Sequence, residues 1–258
     1  MAKQLHDFLS AEQVQAIRAP IEEARTLPRE AFTSTDFYEL EVEKIYSRHW
    51  VAIAFESDLP EQGDVLPVEL CGIPLLMLRD DKGEIRAFQN IVPYDGCLAV
   101  IDPAKGLKEI VTPYHGWTYD LSGKLVAIPY WDGTRAGNLA SVAHLEVDLV
   151  PVHCDTFLKT VFVNLSADPL PLADHVAPIV RQFDEYDFDK SAPIRTQGGD
   201  VLVVAAKGES NWKTVFENAC INVLHEHFVH QDYRKSPLHP RISADGVKSY
   251  FDIIDDKL

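Results

Sequence analysis

The chain has 258 residues, of which 46% are hydrophobic, enough to bury a sizeable core in one large or two modest domains. Forty acidic residues against 24 basic ones leave a net charge of −16, which argues against nucleic-acid backbones and anionic lipid surfaces as partners. No apolar run approaches the roughly 18 residues of a membrane span, Met1 leads into a polar segment rather than a secretion signal, and Cys71, Cys97, Cys154 and Cys220 are scattered without a C-x-x-C pair. Reduced thiols in a cytoplasmic protein are therefore expected, with no disulfide framework and no zinc ribbon.

Ser10, with Gln13 three residues on, predicts the start of a helix over 10–26, carried by Val14, Ile17 and Ile21 but interrupted by Pro20. A second short helix is expected over Glu39–Tyr46. From Trp50 the pattern changes to short β-type runs at 50–55, 65–70, 73–79, 85–89, 110–112, 118–121 and 161–165. Asp81-Lys82-Gly83 and Leu121-Ser122-Gly123-Lys124 supply turns between them. That many short strands imply a small antiparallel β domain. Asp168-Pro169-Leu170-Pro171-Leu172 reads as a linker, followed by a helix over 172–186, a strand over 201–207, a helix over 212–230 and a strand-like run over 248–258. No internal repeat is expected. The chain lacks a G-x-S-x-G elbow, a P-loop and a G-x-G-x-x-G turn, so a hydrolase or nucleotide-binding enzyme is poorly supported.

Asn90-Ile91-Val92-Pro93-Tyr94-Asp95-Gly96 and Thr112-Pro113-Tyr114-His115-Gly116-Trp117 resemble the two metal-binding loops of a Rieske iron–sulfur domain, which read C-x-H and C-x-x-H. The four ligand positions hold Val92, Tyr94, Thr112 and His115, so one ligand of four survives and the [2Fe–2S] centre is expected to be absent. Cys97 is a conceivable replacement, but one cysteine and one histidine leave too few ligands. The loops are expected to persist as scaffold, with Pro93, Gly96, Pro113 and Gly116 keeping the turns, Val92, Tyr94 and Trp117 filling the vacated space, and His115 hydrogen-bonded and partly buried.

Phe37-Tyr38, Glu43–Trp50, Leu59–Asp64, Cys71–Pro74 and Asp80–Asn90 match the same kind of domain in aromatic-ring-hydroxylating and related Rieske-type oxygenase α subunits. Asn211-Trp212-Lys213, Glu217-Asn218, His225 and His230 are similar to the start of that family's catalytic domain. The resemblance implies an α+β chain: an N-terminal helical arm (1–40), a Rieske-like domain (41–165) and the start of a catalytic domain (166–258). It also implies that His225 and His230 bind mononuclear Fe(II), with a third, carboxylate ligand from a downstream helix that lies beyond residue 258. On an unbroken helix the two histidines point about 140° apart, so joint ligation needs a break near Glu226. His227 with His230 is a competing pair on one face, and Asp232 and Glu226 are nearby acids without a supporting pattern. Asn222 stands where the family has an aspartate that links the iron histidine to the Rieske histidine of a neighbouring subunit, and an amide carries no charge with which to support an imidazolium.

The activity implied is O2-dependent hydroxylation or dihydroxylation of an aromatic or other apolar substrate, as in aromatic-compound catabolism. The assembly implied is a trimer or an α3β3 oligomer, served by a ferredoxin or reductase and by a cluster-bearing α subunit. The alternatives are a non-catalytic structural or pocket-forming subunit beside an intact α subunit, and a fragment of a longer protein.

Overall fold

In the computed structural model, which describes residues 3–20, 22–130, 132–134, 137, 139, 145–183, 187–199, 201–203 and 208–220, helix α1 (Ala11–Ile17) starts where Ser10 predicts. The Ser10 hydroxyl accepts from the Gln13 N–H at 3.1 Å, and Gln13 Oε1 accepts from the Ser10 N–H at 2.8 Å. The helix stops well short of residue 26, because Pro20 has no N–H and disfavours helical backbone at the residue before it. Helices α2 (Glu30–Thr33) and α3 (Thr35–Glu41) follow, and the Ser34 hydroxyl accepts from the Phe37 N–H at 3.3 Å to open α3. The expected helix over 39–46 thus begins earlier than its apolar pattern suggests, and Val42–Tyr46 forms a π-helical turn. Leu9, Ala31 and Phe37 gather Phe8, Val14 and Ile17 into a small core.

Contacts divide the chain into two compact units, Met1–Glu41 with Val203–Leu258 and Val42–Leu202. The larger holds a six-stranded antiparallel sheet of β1 (Val51–Phe55), β2 (Val65–Leu70), β3 (Ile73–Arg79), β4 (Ile85–Gln89), β8 (Pro151–Phe157) and β9 (Thr160–Asn164), in the order β1-β9-β8-β4-β3-β2. A second sheet joins β5 (Ile110–Val111), β6 (Thr118–Tyr119) and β7 (Leu125–Ala127). Strands β7 and β8 were not expected: β7 is three residues long, and β8 opens on a proline and mixes His153 and Asp155 into its run. Of the strand expected over 201–207, Val201 makes an isolated bridge with Arg195, and 204–207 lie outside the described residues.

Strand β3 explains the continuous apolar run Leu75–Leu78. Alternate side chains point to opposite faces of a strand, and here both faces are covered. Leu76 and Leu78 join Val65, Phe88, Val92, Trp117 and Tyr119 beneath the small sheet, while Leu75 and Met77 join Leu59, Leu70, Val161 and Val163. The Asp168–Leu172 segment is anchored within this unit, since Leu170 O accepts from Trp50 Nε1 at 2.7 Å and Pro171 caps α4 (Leu172–Val180). The helix expected over 172–186 stops at Val180 and passes into a 3-10 turn over Arg181–Phe183. Helix α5 (Trp212–Cys220) belongs to the other unit. The architecture is antiparallel and β-rich with few helices, of the α+β class. No helix among the described residues is long and apolar enough to cross a membrane.

Candidate functional site

The loops that follow β4 and β5 are built on one hydrogen-bond plan. The Val92 N–H donates to Cys97 O at 2.8 Å and the Gly96 N–H to Val92 O at 2.9 Å; the Thr112 N–H donates to Trp117 O at 2.8 Å and the Gly116 N–H to Thr112 O at 3.2 Å. Gly96 and Gly116 take φ of +72° and +70°, a left-handed conformation that a side chain would strain. The first loop is closed further by buried Asn90, whose amide donates to Val100 O at 2.8 Å and accepts from the Val100 N–H at 2.9 Å. Val92-Pro93-Tyr94-Asp95-Gly96 therefore superposes in pattern on Thr112-Pro113-Tyr114-His115-Gly116. A five-residue x-Pro-Tyr-x-Gly unit thus occurs twice, at 92–96 and 112–116.

Asp95 and His115 hold equivalent positions in the two loops, and their side chains meet, with His115 Nδ1 at 2.7 Å from Asp95 Oδ2. Burial pushes the Asp95 carboxyl up, but the Cys97 N–H, at 2.9 Å from its other oxygen, and His115 outweigh it, so Asp95 titrates below the ordinary carboxylate range. Tyr94 stacks on Trp117 with centroids 4.6 Å apart and an interplanar angle of 16°, and Tyr114 leans on His115 at 4.0 Å. Sequence reasoning missed the Asp95–His115 pair, whose signal was the matched offset of the two residues within the repeat.

The four ligand positions do not assemble a ligand set. Val92 is 1% exposed and belongs to the core beneath the small sheet, and it has no donor atom. Thr112 is buried with its hydroxyl unpartnered. Tyr94 is 54% exposed, so it covers Trp117 from outside and does not fill interior volume as expected. His115, with its side chain 41% exposed, has Nδ1 committed to Asp95. Burial first and Asp95 second push the Cys97 thiol up, which disfavours its thiolate form. One imidazole, one phenol and one hydroxyl do not match a centre that needs two thiolates and two imidazoles.

Asn222, His225, His227, His230, Glu226 and Asp232, the candidates for the iron segment, lie outside the described residues. The part of the motif that is described, Asn211-Trp212-Lys213, opens helix α5. Among the described residues no group of three or more histidines, cysteines and acids is arranged to hold a metal ion.

A six-stranded sheet carrying a small three-stranded sheet with two matched aromatic loops defines a Rieske-type β domain. A family model for the Rieske [2Fe-2S] domain matches residues 49–144. Over 220 residues the chain is 34% identical to the biphenyl dioxygenase subunit alpha of Paraburkholderia xenovorans (strain LB400), covering 82% of this chain and 46% of that protein. It is 25% identical over 230 residues to the carnitine monooxygenase oxygenase subunit of Escherichia coli (strain K12), covering 86% and 54%. A solved quaternary ammonium Rieske monooxygenase, described for carnitine oxidation and inter-subunit electron transfer, shares the fold with a TM-score of 0.68 at 22% identity, over 83% of this chain and 55% of that one. The chain carries a Rieske-type domain and is homologous to Rieske-type oxygenase α subunits. It spans about half the length of the curated relatives it matches.

Proposed function

We propose that this chain is a Rieske-type oxygenase α-subunit homologue without its own [2Fe–2S] centre, acting in O2-dependent hydroxylation of an organic substrate together with a cluster-bearing α subunit in the cytoplasm. One observation carries the reading: the ligand positions are a core valine, a buried threonine hydroxyl, a solvent-facing tyrosine and a histidine bonded to Asp95. Mononuclear iron held by His225 and His230 would supply the oxygen chemistry of the family, with a third ligand from outside these residues. The 34% identity to a biphenyl dioxygenase supports an aromatic or other apolar substrate, whereas the likeness to a carnitine monooxygenase makes quaternary ammonium compounds the competing class.

The test is iron and acid-labile sulfide content, with a visible spectrum, on protein purified without oxygen and reconstituted with iron and sulfide. A colourless protein with at most one iron is expected, and a brown one with two irons and two sulfides would overturn the reading. Mixing with an intact homologue and its reductase is then expected to give product.

A second reading, a non-catalytic subunit that supports an active α subunit, is favoured by Asn222. A changed residue at the position of the bridging aspartate weakens the same electron path as the altered loops. Under it no mixture turns over, and the chain is recovered from its native cell bound to an oxygenase α subunit.

A further inference from the structure

Away from the loops, the unit that contains α3 and α5 buries a complete ion pair. Glu41 is the last residue of α3 and Lys213 the second of α5, 172 positions apart. Lys213 Nζ donates to Glu41 Oε1 at 2.7 Å and Trp212 Nε1 donates to Glu41 Oε2 at 3.2 Å, and the Glu41 and Lys213 side chains are 6% and 9% exposed. Around the ammonium stand three rings, with centroids 5.5 Å (Phe32), 5.5 Å (Phe37) and 5.2 Å (Trp212) from Nζ. Asn211 completes the arrangement: its side-chain Oδ1 accepts from the Lys213 N–H at 3.0 Å, and its Nδ2 donates to Phe32 O at 3.2 Å.

Burying two charges costs desolvation that an apolar pair of similar volume avoids, so such a pair is a poor device for stability alone and a good one for register. Here both carboxylate oxygens are used by consecutive residues of α5. A slip of one residue would rotate the helix by about 100° and break both bonds. An ammonium in an aromatic box with one carboxylate has no second place to go. Lys213 and Trp212 together use both oxygens of Glu41.

We propose that Glu41 and Lys213 are positioning residues that set the register of α5 against the N-terminal arm and so place the segment carrying Asn222, His225 and His230, a role that rests on the iron reading above. The pair touches neither substrate nor metal. It acts through α5, whose last residue, Cys220, stands two positions before Asn222 in the sequence.

The experiment uses the full chain as wild type, Glu41→Gln, Lys213→Met, and Lys213→Ala with and without ethylammonium, and His225→Ala as the control for iron. Two quantities are read: hydrogen exchange over 212–220, with β3 as internal reference, and anaerobic Fe(II) affinity. Glu41→Gln and Lys213→Met are expected to speed exchange in α5 but not in β3 and to weaken Fe(II) binding about tenfold or more, the range seen when partners that orient ligands are removed. Ethylammonium, filling the vacated box, is expected to restore both in Lys213→Ala. Unchanged exchange and affinity in Glu41→Gln and Lys213→Met, or a rescue that ethylammonium fails to give, would overturn the proposal. If wild type and His225→Ala bind iron equally or not at all, the iron reading fails and the placing of that segment fails with it. Register control of α5 then stands if exchange responds and is rescued, and falls if it does not.

Discussion

Asp95 and His115 occupy the same position in two loops of identical hydrogen-bond design, and the 2.7 Å contact between them joins the loops directly. In a chain that matches the Rieske [2Fe-2S] domain model, this carboxylate–imidazole pair stands beside a Tyr94–Trp117 stack. Small domains that rely on a metal lose fold when it is removed.

The first prediction concerns that pair. Asp95→Asn, His115→Ala and the double variant, compared in a thermodynamic cycle, are expected to show a coupling of about 0.5–1 kcal/mol, the modest size set by solvent around the half-exposed imidazole. In His225→Ala, which lacks the proposed mononuclear iron site, chelator in the buffer is expected to leave the melting curve unmoved. A transition that shifts with chelator would show that a metal contributes to the fold.

Restoring ligands tests the loops from the other side. The triple variant Val92→Cys, Tyr94→His, Thr112→Cys, with His115 in place, presents two thiolates and two imidazoles. Reconstitution with iron and sulfide is expected to give a coloured protein with two irons and two sulfides per chain, and adding Asp95→Ala, which frees Nδ1, is expected to raise the yield. A colourless triple variant with intact folding would show that the loop backbone no longer fits the cluster.

Asp80 predicts a pH dependence. Its side chain is 1% exposed and burial pushes its carboxyl up. The Arg86 guanidinium and the Glu84 and Lys82 N–H groups outweigh that and hold it below the ordinary carboxylate value. A folded pKa below the unfolded one adds stability that is complete above the unfolded pKa and disappears as pH falls through the folded one. Asp80→Asn is expected to cost about 1–2 kcal/mol near neutral pH, discounted because Arg86 is partly in water. Denaturation curves at falling pH are expected to converge with wild type below about pH 4. A gap that stays constant down to pH 2 would exclude the ionic origin.

Gly123 carries a steric prediction. It has φ +83°, and a Cβ there would lie 2.3 Å from Phe88 Cε1 in the core beneath the small sheet. Gly123→Ala is expected to destabilise by about 2–4 kcal/mol, through left-handed strain and displacement of the Phe88 ring. Urea unfolding with an unchanged slope would register it, and a cost below 1 kcal/mol would mean that the ring moves freely aside.

Much of the larger unit was legible in the residue pattern. Short β-type runs bounded by Gly-containing turns located β1 to β4 and β9, because chain reversals need particular backbone angles. Strand β8 was not legible, since it opens on Pro151, which cannot donate to a ladder, and its pairing with β4 and β9 is long-range. The ends of α1 and α4 were overestimated where apolar spacing continued past a residue that could not continue the helix, Pro20 in the first case.

By itself the sequence determined which chemistry the loops lack: no arrangement of Val92, Tyr94 and Thr112 supplies two thiolates and a second imidazole, because ligand chemistry resides in residue type. Tertiary structure decided how the residues at those positions are arranged. That Asp95 meets His115, that Tyr94 lies outside over Trp117, and that Lys213 finds Glu41 across 172 positions depend on how distant backbone segments are brought together, which local pattern does not encode.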